Sequence, residues 1–255
     1  MVDLGLDLPA GQRIVSLAER PDFAQPVGDH NEAAWPEFML QDVIADTLFS
    51  HAFRDFPELQ FVLVGREDEI LAASNAMPLW WDGSDDRLPE GWDDQVIRSV
   101  EDMKSGRETN TLGALQIVVA STARGGRHSG TMVNAMGAAA VQAGWTSLIA
   151  CVRPTAKERY PLQPIQTYAR WTRDDGLPFD PWIRLHARLG ARVVKGSPRS
   201  MTMRGSIADW EGWTGMSFPE SGDYIIEGAT CPVHIDRERD EGVYFDQNVW
   251  MVHQL

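Results

Sequence analysis

The sequence predicts an α/β protein in which helices cover a sheet, and three segments carry this prediction. Residues 115–144 begin as an apolar strand, continue through a basic loop with several glycines and end as a helix of small residues. Residues 179–194 have the pattern of a capped helix followed by a strand, and residues 33–76 have helical spacing at residues 33–51 followed by a hairpin at residues 60–76. Because helical and extended segments alternate along the chain, we expect one sheet with helices packed on it.

The composition is that of a globular protein. Hydrophobic residues make up 43% of the 255 residues and charged residues 24%, and we expect a single domain over residues 1–255. No apolar run in the sequence approaches the ~18 residues that cross a bilayer. Residues 1–12 lack the basic and apolar regions of a signal peptide, so the sequence predicts a cytoplasmic location and no membrane partner.

The formal net charge of −14 and the acidic clusters at residues 82–94 and 236–241 bear on the partners. A strongly acidic surface repels phosphate backbones, so we expect no nucleic-acid partner. The acidic surface is either a solvated face or a field that draws a cationic amine toward a site, and the sequence leaves both open. The only cysteines, Cys151 and Cys231, lack the spacing of zinc ligands, and we expect no metal and no disulfide framework.

The loop after the apolar strand has a backbone suited to binding a phosphate. Gly125, Gly126 and Gly130 can adopt φ > 0 or let a ligand approach the backbone closely. The helix that opens near residues 129–131 directs unpaired N–H groups and the positive end of its dipole at the loop. We therefore expect an anion site here, with an ordinary surface turn as the alternative.

The basic residues Arg124, Arg127 and His128 add positive charge to the same loop. A P-loop would need a Gly-Lys-Ser/Thr sequence and a dinucleotide loop GxGxxG, whereas this loop has GGRHSG. The loop resembles instead the acyl-CoA pyrophosphate loop of the GCN5-related N-acetyltransferase (GNAT) superfamily, whose pattern is Gln/Arg-x-x-Gly-x-Gly/Ala after the fourth strand. Arg124 fits the first position and Ser129 the small last one. Arg127 occupies a glycine position, where its side chain would either fill the pyrophosphate's space or bind it.

A second segment resembles the same superfamily independently. Asp180 is the predicted N-cap of a helix, Pro181 its first residue and Gly190 its left-handed stop. Residues 185–191 align with the GNAT motif LYxKLGF, and His186 stands where the family has a tyrosine that often protonates the departing CoA thiolate. The resemblance makes His186 the catalytic candidate, as an imidazolium acid or as a neutral proton acceptor, with a structural helix histidine as the alternative.

The GNAT resemblance implies a strongly twisted mixed β-sheet flanked by helices. Its core would span residues 13–195, and a C-terminal extension at residues 196–255 would complete the sheet. Acetyl-CoA or another acyl-CoA would be the co-substrate, with its acyl-pantetheine arm between the splayed fourth and fifth strands and its thioester carbonyl polarised by a backbone N–H of the fourth strand. The residues that the resemblance assigns to acyl-CoA are Val118, Val119, Ala120, Arg124, Gly125, Gly126, Arg127, His128, Ser129, Gly130 and Thr131.

The function implied by the resemblance is acyl-CoA-dependent N-acyl transfer, made directly to a small amine-bearing metabolite. No single general base stands out, and Glu108, His128, Asp180 and His234 are candidates. Two other functions stay open. One is a GNAT-fold protein that binds CoA or another ligand without turnover, and the other is an acyl-thioester enzyme that uses a carrier-bound or decarboxylating substrate.

The segment between the third and fourth predicted strands is longer than in an ordinary GNAT domain. Residues 77–111 form this insertion, with a short helix predicted at residues 94–104. Long loops of this kind are often lids or binding elements. Trp80, Trp81 and Trp92 would therefore either cover the acceptor or pack on the sheet.

Two further segments are also long. The connection at residues 153–177 would either shape the choice of substrate or pack on the surface. The tail at residues 197–255 would extend the sheet, cover the acceptor cleft or make the contact of a homodimer, and Trp210, Trp213 and Trp250 suit any of these uses.

Overall fold

The computed structural model describes residues 4–255. Met1, Val2 and Asp3, which belong to the segment considered above for a signal peptide, lie outside the described residues.

The strands are β1 (Arg13–Ser16), β2 (Phe61–Val64), β3 (Ile70–Leu79), β4 (Thr111–Val119), β5 (Ser147–Val152), β6 (Arg192–Gly205), β7 (Gly222–Tyr224), β8 (Val233–Asp236) and β9 (Glu241–Gln254). The α-helices are α1 (Ala24–Glu32), α2 (Val43–Leu48), α3 (Ser50–Asp55), α4 (Trp92–Ser105), α5 (His128–Gln142), α6 (Ile165–Tyr168), α7 (Pro181–Arg188) and α8 (Ile207–Thr214). Short 3-10 helices lie at Pro21–Phe23, Glu37–Gln41, Pro57–Leu59, Asp85–Arg87, Ser121–Ala123 and Lys157–Arg159.

The strands of residues 4–255 form a 9-stranded sheet in the order β1-β2-β3-β4-β5-β9-β8-β7, with β6 paired to the other edge of β9. Neighbouring strands are antiparallel except β4 and β5, which run parallel. The long strand β9 joins the two halves because its end pairs with β5 and its beginning with β8. The predicted α/β fold, a mixed sheet flanked by helices, is confirmed.

Helices cover both faces of the sheet. Alternate residues of a strand point to opposite faces. Leu63 and Ala72 therefore pack in the cluster that contains α5, while Val62 and Ala73 pack in the cluster that contains α1. Helices α5 and α7 lie on the first face, called here the α5 face, and α1 and α4 lie on the opposite α1 face.

The predicted ends of α7 are confirmed. The Asp180 carboxylate accepts the N–H groups of Trp182 and Ile183, and Pro181 is the first helical residue. Gly190 follows the helix with a φ of +91°, a conformation that favours glycine. The chain thereby reverses directly into β6.

Other predicted elements are present with shifted ends. The predicted hairpin is formed by β2 and β3, and the short helix predicted at residues 94–104 is α4, which begins at Trp92. Strand β6 runs from Arg192 to Gly205, so the boundary predicted between residues 195 and 196 falls inside a strand. The core and the extension therefore share β6.

The continuous helical pattern predicted over residues 33–51 is wrong. The chain forms a 3-10 helix followed by α2 and α3, because Pro36 and Asp42 have extended ψ angles of 148° and 121°. Asp42 then caps α2, and its carboxylate accepts the N–H of Ala45 at 2.7 Å. The hydrophobic spacing did not reveal these two interruptions.

The tail contributes α8 and the last strands. Trp210 and Trp250 are wholly buried, at 0% exposure, in two different core clusters. The idea that they make the contact of a homodimer is therefore wrong for these two residues, because neither side chain reaches the surface. Trp213 is partly buried against the cluster of Trp210.

Candidate functional site

Strands β4 and β5 separate at the centre of the sheet. Their parallel pairing ends at Ala114 and Ala150. Beyond this pair β4 continues to Val119 alongside β3, and β5 continues to Val152 alongside β9. The edges that face each other across the resulting gap are paired with no strand of residues 4–255. The gap has the position that the GNAT resemblance assigned to an acyl-pantetheine arm.

A β-bulge in β4 marks the beginning of the gap. The register between β3 and β4 shifts next to Ala114 and leaves Leu115 as an extra residue. Two side chains of α4 donate to the carbonyls at this point, Trp92 Nε1 to Leu115 at 2.9 Å and Gln95 Nε2 to Ala114 at 3.1 Å. The inserted helix therefore stabilises the parted strand from the α1 face.

The direction of the β4 N–H groups decides which of them can reach a ligand in the gap. The Ala120 N–H donates to the Leu71 carbonyl at 3.0 Å and is not available, which corrects its predicted role as a donor to the thioester. Because successive N–H groups of a strand alternate between its two edges, the Val118 N–H also points toward β3. The Val119 N–H points to the opposite edge and faces the gap.

The predicted phosphate loop lies exposed at the end of β4. Arg124, Gly125, Gly126 and Arg127 are exposed, and Gly125 has a φ of +86°. Neither arginine forms an ion pair with a carboxylate within residues 4–255. Both guanidinium groups are therefore available to an anion.

The N-terminus of α5 adds backbone donors to this loop. The N–H and Oγ1 of Thr131 both donate to the Arg127 carbonyl, at 3.0 Å and 3.1 Å. The N–H groups of His128, Ser129 and Gly130 come before this first helical bond, and such groups have no partner inside a helix. The three donors and the positive end of the α5 dipole favour an anion at the same place.

His186 is buried between α7 and the sheet, with 2% of the residue exposed. Its Nδ1 lies 2.9 Å from Nε2 of His253 on β9. Burial and then the neighbouring His253 lower the pKa of His186 to about 3. A ring with this pKa is neutral at pH 7, so the predicted role as an imidazolium acid does not fit the structure. A role for the neutral ring stays a prediction.

On the α1 face, Trp35 spans the gap. Its Nε1 donates to the Gln116 side chain of β4 at 3.1 Å. Its ring lies 5.7 Å from the guanidinium carbon of Arg153, the residue that follows β5. The indole therefore touches both sides of the gap, opposite the face that carries the phosphate loop.

A buried acid fixes the position of Arg153. Its Nε donates to the two oxygens of Asp246 at 3.0 Å and 3.1 Å, and its Nη2 donates to the Gly228 carbonyl at 2.6 Å. Asp246 is 0% exposed and also accepts the hydroxyl groups of Tyr244 and Thr230. The buried carboxylate thus accepts hydrogen bonds from three side chains and holds the guanidinium of Arg153 in place.

Two further carboxyl groups, Asp42 and Asp93, share a hydrogen bond next to this ion pair. Burial raises the pKa of both. For Asp93 the charge of Asp42 adds to the effect of burial, and together they raise the pKa to about 8. Oδ1 of Asp93 is buried and has no hydrogen-bond partner within residues 4–255. Asp93 is therefore a carboxyl group that gains and loses a proton near neutral pH.

The general-base candidates taken from the sequence do not lie beside Asp93. His234 pairs with Asp223 on the exposed β7–β8 hairpin, at 2.8 Å, and Glu108 is exposed beyond the end of α4. His128 lies at the phosphate loop. Asp180 has no free lone pair, because five donors surround its carboxylate. These donors are the N–H groups of Thr155, Ala156, Trp182 and Ile183 and the hydroxyl of Tyr168.

Sequence reasoning missed the side chains on the α1 face of the gap. They come from separate segments of the chain, and none belongs to a motif. One signal was available, since Asp42 directly precedes a helical pattern and is a suitable N-cap. The missed residues are Trp35, Asp42, Asp93, Gln116, Arg153 and Asp246.

The three tryptophans of the insertion have different positions. Trp92 is 7% exposed and lies at the bulge, where it contacts the gap. Trp81 is 5% exposed in a core cluster, and the Trp80 ring lies 3.8 Å from the guanidinium carbon of Arg107. Both follow the end of β3 that is remote from the gap, so a covering role is open only to Trp92.

Two features are absent from residues 4–255. Within this part of the chain, no helix is both long and apolar enough to cross a membrane. The same residues contain no group of three or more histidine, cysteine, aspartate or glutamate side chains placed to hold a metal ion.

Comparisons with known proteins give one similar relative in sequence and several in structure. The chain is 29% identical to the arginine N-acetyltransferase avaD of Aspergillus versicolor, over 99% of this chain and 97% of that protein. It is similar in fold to the loading GNATL domain of CurA from Lyngbya majuscula, with a TM-score of 0.60, 15% identity and coverage of 95% and 96%. It has a weaker structural likeness to the GNAT-like decarboxylase GphF, with a TM-score of 0.47, 17% identity and coverage of 80% and 82%. No protein-family model matches the chain.

The fold and the sequence agree on the family. The mixed sheet flanked by helices, the parted strands β4 and β5 and the basic loop before α5 are features that the resemblance predicted. The similarity to an N-acetyltransferase extends over nearly the whole length of both proteins. The chain is similar in sequence to an N-acetyltransferase and has the fold of a GNAT domain.

Proposed function

We propose that this protein transfers an acyl group, with acetyl as the first choice, from acyl-CoA to the amine nitrogen of a small metabolite. The observation that carries the proposal is the gap beyond Ala114 and Ala150, which opens beside an exposed basic loop at a helix N-terminus. An extended arm can lie in such a gap and pair with the free edge of each strand. The loop supplies the anion site at one end of the arm.

Each part of acyl-CoA has a matching part of the chain. Arg124 and Arg127 would pair with the pyrophosphate, together with the first N–H groups of α5. The Val119 N–H would donate to the thioester carbonyl, whose oxygen gains negative charge as the amine attacks. Direct transfer then depends mainly on holding the two reactants in position, an effect worth about 7 to 11 kcal/mol.

The acceptor would enter from the α1 face, under Trp35. An amine must lose a proton to become a nucleophile, and Asp93 is the carboxyl group whose pKa, about 8, is close to that of an α-amino group. We assign Asp93 as the general base on this ground. The charge of Asp42, which lies beside Asp93, would make this face favourable to a cationic acceptor.

Arginine is the first acceptor to test, because the similar Aspergillus protein is an arginine N-acetyltransferase. Arginine carries both an amine to be acylated and a cationic guanidinium. The choice of arginine as the acceptor and of acetyl as the acyl group rests on this relative and on the charge of the α1 face.

The test combines binding and turnover. Calorimetry with acetyl-CoA measures binding, and mass spectrometry after incubation with arginine and other amines measures the acylated product. We expect both binding and product. Binding without product for any amine would favour a CoA-binding protein, and product only from an acyl group on a carrier protein would favour a carrier-bound substrate. An absence of heat with acetyl-CoA and with longer acyl-CoAs would contradict the proposal.

A further inference from the structure

His186 and His253 form a buried histidine pair on the α5 face. They are 2% and 5% exposed, and their ring nitrogens Nδ1 and Nε2 lie 2.9 Å apart. Burial lowers the pKa of both rings. Both rings are therefore neutral at pH 7, and each carries one N–H group and one lone pair.

The hydrogen bonds of the pair indicate which nitrogen carries each proton. His253 also hydrogen bonds to the backbone of Leu189, and this bond acts to raise its pKa, as a bond donated by the ring does. The His253 proton is then on Nδ1, and its Nε2 accepts the Nδ1–H of His186. Nε2 of His186 is left as a bare lone pair. This atom is buried and has no hydrogen-bond partner within residues 4–255.

The pair lies along the contact between α5 and α7. The Leu185 side chain, next to His186, would be 3.7 Å from a Cβ placed on Gly130 at the phosphate loop. The Trp182 ring packs edge-on against His186 at 4.5 Å between centroids and also joins the cluster of α5. His253 pairs with Leu148, two residues before the gap opens at Ala150. An arm that reaches from the loop to the gap would follow this contact.

We propose that Nε2 of His186 accepts a hydrogen bond from the pantetheine arm of acyl-CoA, and that His253 is a positioning residue that keeps this nitrogen unprotonated. The inference rests on the proposed function. A pantetheine arm offers amide N–H donors, and free CoA offers a thiol S–H as well. An acceptor buried without a partner favours a ligand that brings a donor.

The test uses ¹⁵N NMR of the histidine rings in the full-length protein. The His186 signals are identified by their loss in the His186→Gln variant. We expect Nε2 to be unprotonated in the free protein and its signal to move toward the hydrogen-bonded range when acetyl-CoA saturates the protein. Adenosine 3′,5′-bisphosphate, which has no pantetheine arm, is the matched ligand that leaves the signal unchanged.

Comparing acetyl-CoA with free CoA shows whether the amide N–H or the thiol S–H is the donor to Nε2. A change with both acetyl-CoA and CoA identifies an amide N–H, and a change with CoA alone identifies the thiol. Saturation with both ligands and no change at Nε2, or an Nε2 that is protonated in the free protein, would overturn the inference while the proposed function stands. If neither ligand binds, the proposed function itself fails.

Variants give an independent readout. His186→Leu should weaken acetyl-CoA binding about two- to tenfold, the range of one hydrogen bond, while binding of adenosine 3′,5′-bisphosphate stays the same. His186→Gln, which keeps an acceptor oxygen, should retain most of the affinity. His253→Leu should leave a mixture of His186 tautomers in the NMR spectrum, whereas the exposed-hairpin control His234→Leu should not. Equal acetyl-CoA affinity in the Leu and Gln variants of His186 would contradict the proposal.

Discussion

Val119 and Ala120 are adjacent in sequence, and their N–H groups serve opposite edges of β4. The Ala120 N–H donates to Leu71 at 3.0 Å, so it belongs to the sheet. The Val119 N–H faces the gap, where β5 has already parted from β4 at Ala114. One residue of difference therefore separates a donor within the sheet from the N–H group that the proposed function assigns to the thioester.

This relationship predicts opposite effects of two proline substitutions. Val119→Pro should lower turnover about 10²-fold or more, because it removes the donor to the thioester oxygen, and should change the melting temperature little. Ala120→Pro should lower the melting temperature, because it breaks the bond to Leu71. Steady-state kinetics and thermal unfolding measure the two effects. Unchanged turnover in a folded Val119→Pro protein would contradict the assignment of this N–H group.

Arg124 is exposed and has no carboxylate partner in the described chain. Its substitution should therefore weaken ligand binding without changing the stability of the fold. Arg124→Ala should weaken acetyl-CoA binding about tenfold, or about 1.5 kcal/mol, as expected for one charge-assisted contact. Calorimetry measures this change. Arg239→Ala, at the remote turn between β8 and β9, is the control and should bind as tightly as the unmodified protein.

The side chain of Arg127 is either a ligand of the pyrophosphate or a steric obstacle to it, and a substitution at this position distinguishes the two roles. The residue is exposed at the N-terminus of α5 and forms no side-chain hydrogen bond to the helix. We expect Arg127→Gly to weaken acetyl-CoA binding, since a free guanidinium in this position adds charge to the anion site. Tighter binding in this variant would mean that the side chain occupies the pyrophosphate's space, and equal binding would mean that it points away.

The elements around the phosphate loop could be predicted from the sequence because their signals are local. A glycine-rich turn between an apolar strand and a helix, and an Asp-Pro start with a Gly stop for α7, depend on neighbouring residues only. These two segments also carried the family resemblance. Local signals failed where a single residue changed the backbone direction, as at Pro36 and Asp42.

The α1 face of the gap could not be predicted in the same way. Trp35, Gln116 and Arg153 meet only after the sheet has formed, and no spacing in the sequence links them. The role of His186 shows a related limit. Its position in a motif was visible in the sequence, whereas its burial and its bond to His253, which set its protonation state, were not.

Asp180 should matter for stability because five donors depend on its carboxylate. Asp180→Ala should lower the free energy of unfolding by about 3 kcal/mol or more, since the cap of α7 and several buried donors lose their acceptor. Chemical denaturation measures this loss. Asp175→Ala, which removes an exposed bond to the Leu177 N–H and an exposed ion pair with Arg173, is the control and should cost about 1 kcal/mol or less. Equal losses in the two variants would contradict the structural role of Asp180.

Asp93 connects stability with activity through pH. Its pKa is about 8 in the folded protein and ~3.9 in an unfolded chain, so the folded state binds the proton more tightly. The contribution of this proton to the stability of the folded protein is therefore complete below pH ~4 and is lost as the pH rises through about 8. Asp93→Asn should flatten this pH dependence of the melting temperature, while the exposed control Asp174→Asn should leave it unchanged.

The same substitution should remove a proton acceptor from the reaction. For the unmodified protein we expect kcat/KM to rise with pH up to about 8, because the ionised carboxyl is the form that takes the amine proton. In Asp93→Asn, kcat should fall about 10²-fold or more with the acetyl-CoA dissociation constant nearly unchanged, since Asp93 lies on the α1 face and the phosphate loop is not altered. A pH–rate profile of the variant that keeps the same rise would assign the general base to another group, and an equal loss of acetyl-CoA affinity would indicate a structural role for Asp93.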